Sequence, residues 1–92
     1  MKMHELKTIN PYFSDIWEGK KYFEIRKDDR GFREGDILKL QEYNPATSNY
    51  SGRYIIAVVS YLLPANTFEG LAPDYCCMDL IIRERKGRRN KQ

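Results

Sequence analysis

Apolar positions along the chain fall into short blocks separated by polar stretches that carry glycine, proline and asparagine. Residues 4–9 alternate as a first strand does, and Asn10-Pro11 then offers a helix cap with proline at the first helical position. Tyr12, Phe13, Ile16 and Trp17 recur at the three- and four-residue spacing of one helical face, and Gly19 stands where a left-handed residue ends a helix. This predicts a short helix packed on a sheet. Residues 20–26 alternate again, with Phe23 and Ile25 on one face and Tyr22, Glu24 and Arg26 on the other, the pattern of a half-buried strand. A long polar loop, 27–36, ends in Gly35-Asp36 and leads into a strand over 37–43. Residues 44–52 form a turn-rich connector. Residues 53–63 are apolar on both faces in their middle, which predicts a central strand, and 75–82 form the last strand after a loop over 64–74. Five strands and one early helix predict an α+β fold: a small curved sheet or open barrel with the helix over one side.

The 92 residues allow one domain, because a chain this short buries only roughly 60–65% of its unfolded surface and cannot support two cores. Apolar residues at 41% and charged residues at 32% suit a chain that folds unaided. The longest apolar run, residues 55–59, is far short of the ~20 residues a membrane span requires. The first residues place no apolar segment after their positive charges, which argues against a secretory signal and for a cytoplasmic protein with no membrane partner. Cys76 and Cys77 are neighbours in an apolar strand and so point to opposite faces, as buried thiols rather than a disulfide pair. The single histidine, His4, stands far from them, and Asp28-Asp29 reads as a turn, so no metal and no cofactor is called for.

The net charge of +3 is unevenly spread. Arg83, Arg85, Lys86, Arg88, Arg89 and Lys91 against Glu84 give the last ten residues +5 and leave residues 1–82 at −2. The end of the chain, 84–92, is therefore expected to be a disordered basic tail, acting either as a loose phosphate contact or only as a solubilising terminus. A specific site has to come from the body, residues 1–83. There the densest mixture of charges is Gly19-Lys20-Lys21-Tyr22-Phe23-Glu24-Ile25-Arg26 at the helix-to-strand junction. Arginine offers a planar donor fork and glutamate accepts from exocyclic amines, so this stretch suits the edge of a ligand cleft, or else a solvated strand face with cross-strand ion pairs.

Gly19-x-Lys21-x-x-Glu24-x-Arg26 after a helix resembles the signature of ASCH domains, a branch of the PUA-like superfamily. The longer pattern is similar to a bacterial and phage group of uncharacterised ASCH-like domains over residues 4 to about 80. It comprises His4-x-Leu6-Lys7, Tyr12-Phe13, Asp29-Arg30-x-Phe32, Gly35-Asp36, Glu42-Tyr43 and Ser51-Gly52-Arg53. The resemblance implies a small PUA-like open β-barrel of about five to six strands with one or two short flanking helices. It also implies a cleft beside the helix whose lip carries Lys21, Glu24 and Arg26, with Lys21 lying in the turn. Lys7, Arg30 and Tyr43, and additionally His4, are matched positions that complete the cleft. RNA or a modified nucleoside is the implied ligand, with Tyr43 and Tyr50 as candidates to stack unpaired bases.

A second class of function follows from a similar ASCH branch that removes the acetyl group of N4-acetylcytidine through a lysine, a threonine and a glutamate. Lys21 matches that lysine, whereas Glu24 stands at the threonine position. The implied variant mechanism makes Glu24 the general base for a water and Lys21 the group that stabilises the oxyanion. A third class, a phage or mobile-element accessory protein that binds a host protein, leaves no signature in the residues.

Overall fold

The computed structural model describes residues 1–88. Its elements follow the expected order: β1 (Met3–Thr8), α1 (Tyr12–Trp17), β2 (Phe23–Lys27), β3 (Ile37–Asn44), β4 (Asn49–Leu63) and β5 (Tyr75–Lys86). The strands form one curled half-barrel sheet in the order β1-β3-β4-β5-β2, with β1 parallel to β3 and every other pair antiparallel. β4 is central, as its doubly apolar middle requires.

Leu6, Leu38, Leu40, Ile55, Ala57, Val59, Cys76, Met78 and Leu80 alternate inward from four strands to build the core. Phe13 and Ile16 of α1, both fully buried, close it from above. Pro11 takes the cap position, one residue later than expected, while the Asn10 side-chain oxygen accepts from the Ser14 N–H and hydroxyl. Gly19 has φ +80 and turns the chain back so that the Lys20 and Lys21 N–H groups both donate to the Asp15 carbonyl.

Several expectations are corrected. Tyr12, assigned to the packing face of α1, is 52% exposed. The β2 alternation is present, but its polar side faces inward: Glu24 is 4% exposed, while Phe23 and Ile25 are 42% and 46% exposed. Of the paired thiols, Cys76 is buried and Cys77 only partly so. Burial, with Asp28 nearby, pushes the Cys76 thiol up, and burial does the same to Cys77. β5 runs past residue 83: Glu84, Arg85 and Lys86 pair with Ile56, Ile55 and Tyr54, and Arg85 donates to the Trp17 carbonyl. The basic end expected as a tail is thus strand up to Lys86, and residues 89–92 lie outside the described residues. No helix among the described residues is long and apolar enough to cross a membrane.

Candidate functional site

The strand order leaves two open edges, β1 and β2, and the curl of the sheet brings them face to face. Ile37 N–H donates to the Lys2 carbonyl, so the even-numbered residues of β1 face β3 and the peptide groups of Glu5 and Lys7 face the opening. Leu80 N–H donates to the Tyr22 carbonyl, which likewise turns the Phe23 peptide group outward on β2. Cationic side chains fill these exposed positions. Arg26 donates through Nη2 to the Lys7 carbonyl (2.7 Å) and the Thr8 hydroxyl (3.2 Å), Arg30 donates to the Glu5 carbonyl (3.1 Å), and Lys21 Nζ donates to the Phe23 carbonyl (2.6 Å). The seam is bridged by side chains where a closed barrel would have a backbone ladder.

Between the edges lies an open cleft of about 910 Å³, within the range of small-ligand sites. Glu24 sits at its floor, its carboxylate held by Lys21 Nζ at 2.9 Å on one oxygen and Arg26 Nε at 2.7 Å on the other. The Lys21 and Arg26 side chains remain 15% and 25% exposed, against 6% for that of Glu24, so the cations form the accessible part of the triad. Lys21 lies outside β2, in the turn after Gly19, which lets it reach a carboxylate that strict strand alternation would place on the other face. Lys21 Nζ also stands 4.8 Å above the Phe23 ring. Ile9, Tyr12, Phe23, Ile25 and Tyr75 give the walls exposed apolar and aromatic surface. Six Lys and Arg side chains and three carboxylates line the cleft, which makes it net cationic in a body of slightly negative charge.

Of the site residues expected from the sequence, Lys7, Lys21, Glu24, Arg26 and Arg30 line this one cleft. His4 and Tyr43 do not. His4 points inward, 6% exposed, with its Nε2 2.9 Å from Asp36 Oδ2 and its ring packed edge-on to Phe32. Burial alone would raise the Asp36 carboxyl, but His4 and the backbone N–H groups of Lys2 and Arg33 outweigh it and hold the carboxyl below the usual range. His4 therefore pins β1 to the loop before β3. Tyr43 lines a separate hollow beside the β3–β4 turn. Asp28 accepts from the Gly31 and Phe32 N–H groups, the turn role its sequence context suggests. Among the described residues no three His, Cys, Asp or Glu side chains are grouped to hold a metal ion.

Sequence reasoning missed Thr8, Ile9, Tyr12, Phe23 and Ile25 as cleft residues. For Tyr12, Phe23 and Ile25 the signal was an apolar surplus near the charge-rich junction, read as packing surface because an edge strand facing a cavity has the same periodicity as one facing a core; Thr8 and Ile9, at and just past the end of β1, gave none.

The second cluster of matched positions has a different role. Glu42, 4% exposed, accepts both arms of Arg53 (2.9 and 3.0 Å), the Ser51 hydroxyl and the Asn10 amide (2.7 Å). Burial alone would raise its carboxyl, but these donors lower it to about 2. The Arg53 guanidinium lies 4.6 Å from the Trp17 ring and 5.3 Å from the Phe13 ring, so it fastens α1 to the sheet.

This arrangement belongs to a shared sequence type. A family model described as a domain of unknown function (DUF3850) matches residues 3–80, a span that takes in the cleft triad and the Glu42–Arg53 clamp. The uncharacterised 12.9 kDa protein in the GpA 3' region of Escherichia phage P2 is 39% identical over 83 residues, covering 90% of this chain and 72% of the phage protein. With the family model spanning most of the chain and a phage relative similar along nearly all of it, the protein belongs to the DUF3850 family.

Proposed function

We propose that the cleft between β1 and β2 binds RNA through one unstacked base, plain or modified, in a cytoplasmic domain of the PUA-like, ASCH type. The observation that carries this reading is the Lys21–Glu24–Arg26 triad on the floor of a cavity walled by exposed rings. Aromatic walls suit a flat heterocycle, which every base presents, and a surplus of lysine and arginine suits the phosphates beside it. Both Glu24 oxygens are occupied by cations, so Glu24 serves first to hold Lys21 and Arg26 at fixed positions. The curled five-stranded sheet with one flanking helix supports the fold-family reading.

The test is fluorescence anisotropy of a labelled short single-stranded RNA. Lys21→Ala combined with Arg26→Ala is expected to weaken binding by more than about tenfold, since each variant removes a charge-assisted donor. Retained affinity in that double variant refutes the cleft assignment.

A second reading rests on the same contact. The Lys21 ammonium meets a buried carboxylate at 2.9 Å inside a cavity, which suits a variant hydrolase acting on N4-acetylcytidine or a related nucleoside, with Glu24 as general base for a water and Lys21 stabilising the oxyanion. Mass spectrometry of a cellular nucleoside digest before and after incubation separates the readings: a nucleoside consumed by the wild type but not by Lys21→Ala makes the site catalytic. If RNA is neither bound nor changed, the reading as an accessory protein with a host protein partner replaces both.

A further inference from the structure

We propose that the hollow beside the β3–β4 hairpin is a second nucleobase subsite, which receives the nucleotide next to the one in the cleft; this inference rests on the RNA-binding reading of the cleft. The hollow, about 570 Å³, is a separate depression with Tyr43 and Tyr50 in its lining. These two tyrosines are register partners across the hairpin, their rings 5.0 Å apart and inclined at 61°. The edge-to-face contact holds Tyr50 in place while leaving it 44% exposed. A ring fixed in this way offers a stacking surface at low entropic cost.

The two hollows share a ridge. Lys7 lines the cleft, and its ammonium stands 4.6 Å above the Tyr43 ring of the second hollow. Ile9 lines the cleft and the next residue, Asn10, lines the hollow. An RNA strand crossing this ridge therefore passes an exposed cation between two aromatic surfaces, the order of elements that a base-phosphate-base ligand needs. The one buried carboxylate of the hollow, Glu42, is neutralised by the Arg53 fork and does not set an open negative charge against a phosphate. The remaining rim includes Asn44, Thr47 and Asn49, whose amides and hydroxyl both donate and accept, so the subsite should tolerate any base. Tyr43, a position the sequence assigned to the cleft, is thereby given its own place.

The experiment compares a short single-stranded oligoribonucleotide with its constituent 5'-mononucleotides, each of which can fill only one subsite at a time. In Tyr50→Ala the ratio of oligonucleotide to mononucleotide affinity is expected to fall roughly 5- to 100-fold, the loss of one stacked base. Tyr61→Ala, which removes a tyrosine that is 55% exposed and lines neither hollow, controls for loss of surface aromatic area. Tyr50 lies near the end of the hairpin, and a melting curve confirms that its variant is folded. An unchanged ratio in Tyr50→Ala, with binding still lost in the Lys21→Ala/Arg26→Ala protein, overturns the second subsite and leaves the cleft reading standing. A wild-type protein that binds neither probe overturns both.

Discussion

Two buried glutamates, each clamped by an arginine, do different things. Glu42 and Glu24 are equally inaccessible, at 4% each, and each accepts from a guanidinium at 2.9 Å or less. They differ in what lies behind the cation. Arg53 is stacked on Trp17 and Phe13, so its charge ends against the helix and core. Arg26 and Lys21 end in a cleft, where each also donates to an edge-strand carbonyl and keeps an accessible face toward a ligand. Burial of the carboxylate alone thus fails to separate a structural pair from a binding site; the surroundings of its partner do.

The largest effect that tests this contrast is on stability. Arg53→Met leaves the Glu42 charge buried without its fork, a change that costs about 3–5 kcal/mol and lowers the melting temperature by more than about 10 °C in a domain of this size. Arg26→Met is expected to cost only roughly 1–2 kcal/mol, because Glu24 keeps Lys21 and solvent reaches the pair from the cleft. Equal losses in the two variants would break the comparison. Acid titration sharpens it. The Glu42 carboxyl lies at about 2 in the folded protein against its ordinary 4.5, so its contribution is fully present above roughly pH 5 and disappears as pH falls toward 2. Urea midpoints measured across that window should fall steeply in the wild type and less steeply in Arg53→Met. The lowered Asp36 carboxyl adds an acid-side loss to both proteins and cancels in the difference.

A smaller effect is expected on the other side of the comparison. Glu24→Gln keeps the shape of the floor but frees Lys21 and Arg26 from their counter-charge. Affinity for single-stranded RNA at low salt should rise about threefold, with a steeper dependence on salt concentration. A loss of affinity would instead give Glu24 a direct contact with the base edge.

The sequence made much of this legible. Strand order along the chain, the central position of β4 and the placement of Lys21 in a turn followed from periodicity, from the doubly apolar middle of β4, and from Gly19 with the signature around it. Five of the nine charged cleft residues were named: Lys21, Glu24 and Arg26 from the charge-dense junction and the signature on it, Lys7 and Arg30 from the resemblance alone. What escaped was direction. β2 reads as an ordinary half-buried strand, and only its position at a sheet edge facing β1 tells that Phe23 and Ile25 line a cleft while Glu24 turns inward. His4 and Tyr43 were grouped with the cleft because matching motifs carry no depth: His4 points at Asp36, and Tyr43 lies beyond the Lys7 ridge. Glu42, Ser51 and Arg53 stood among the matched positions with no role until their side chains were seen to meet.

The smallest expected effect decides which cations matter. Truncation after Arg88 keeps the whole of β5 and removes Arg89 and Lys91. Two cations at a chain end contribute through counterion release, so RNA affinity should fall by less than about threefold, and by less at higher salt. The Lys21→Ala/Arg26→Ala protein, which retains that end, should lose far more. If truncation proved the more damaging of the two, the accessible face of Lys21 and Arg26 would have no ligand, and the Glu24 triad would be a second clamp of the Glu42 kind, fastening β2 to β1 across the seam.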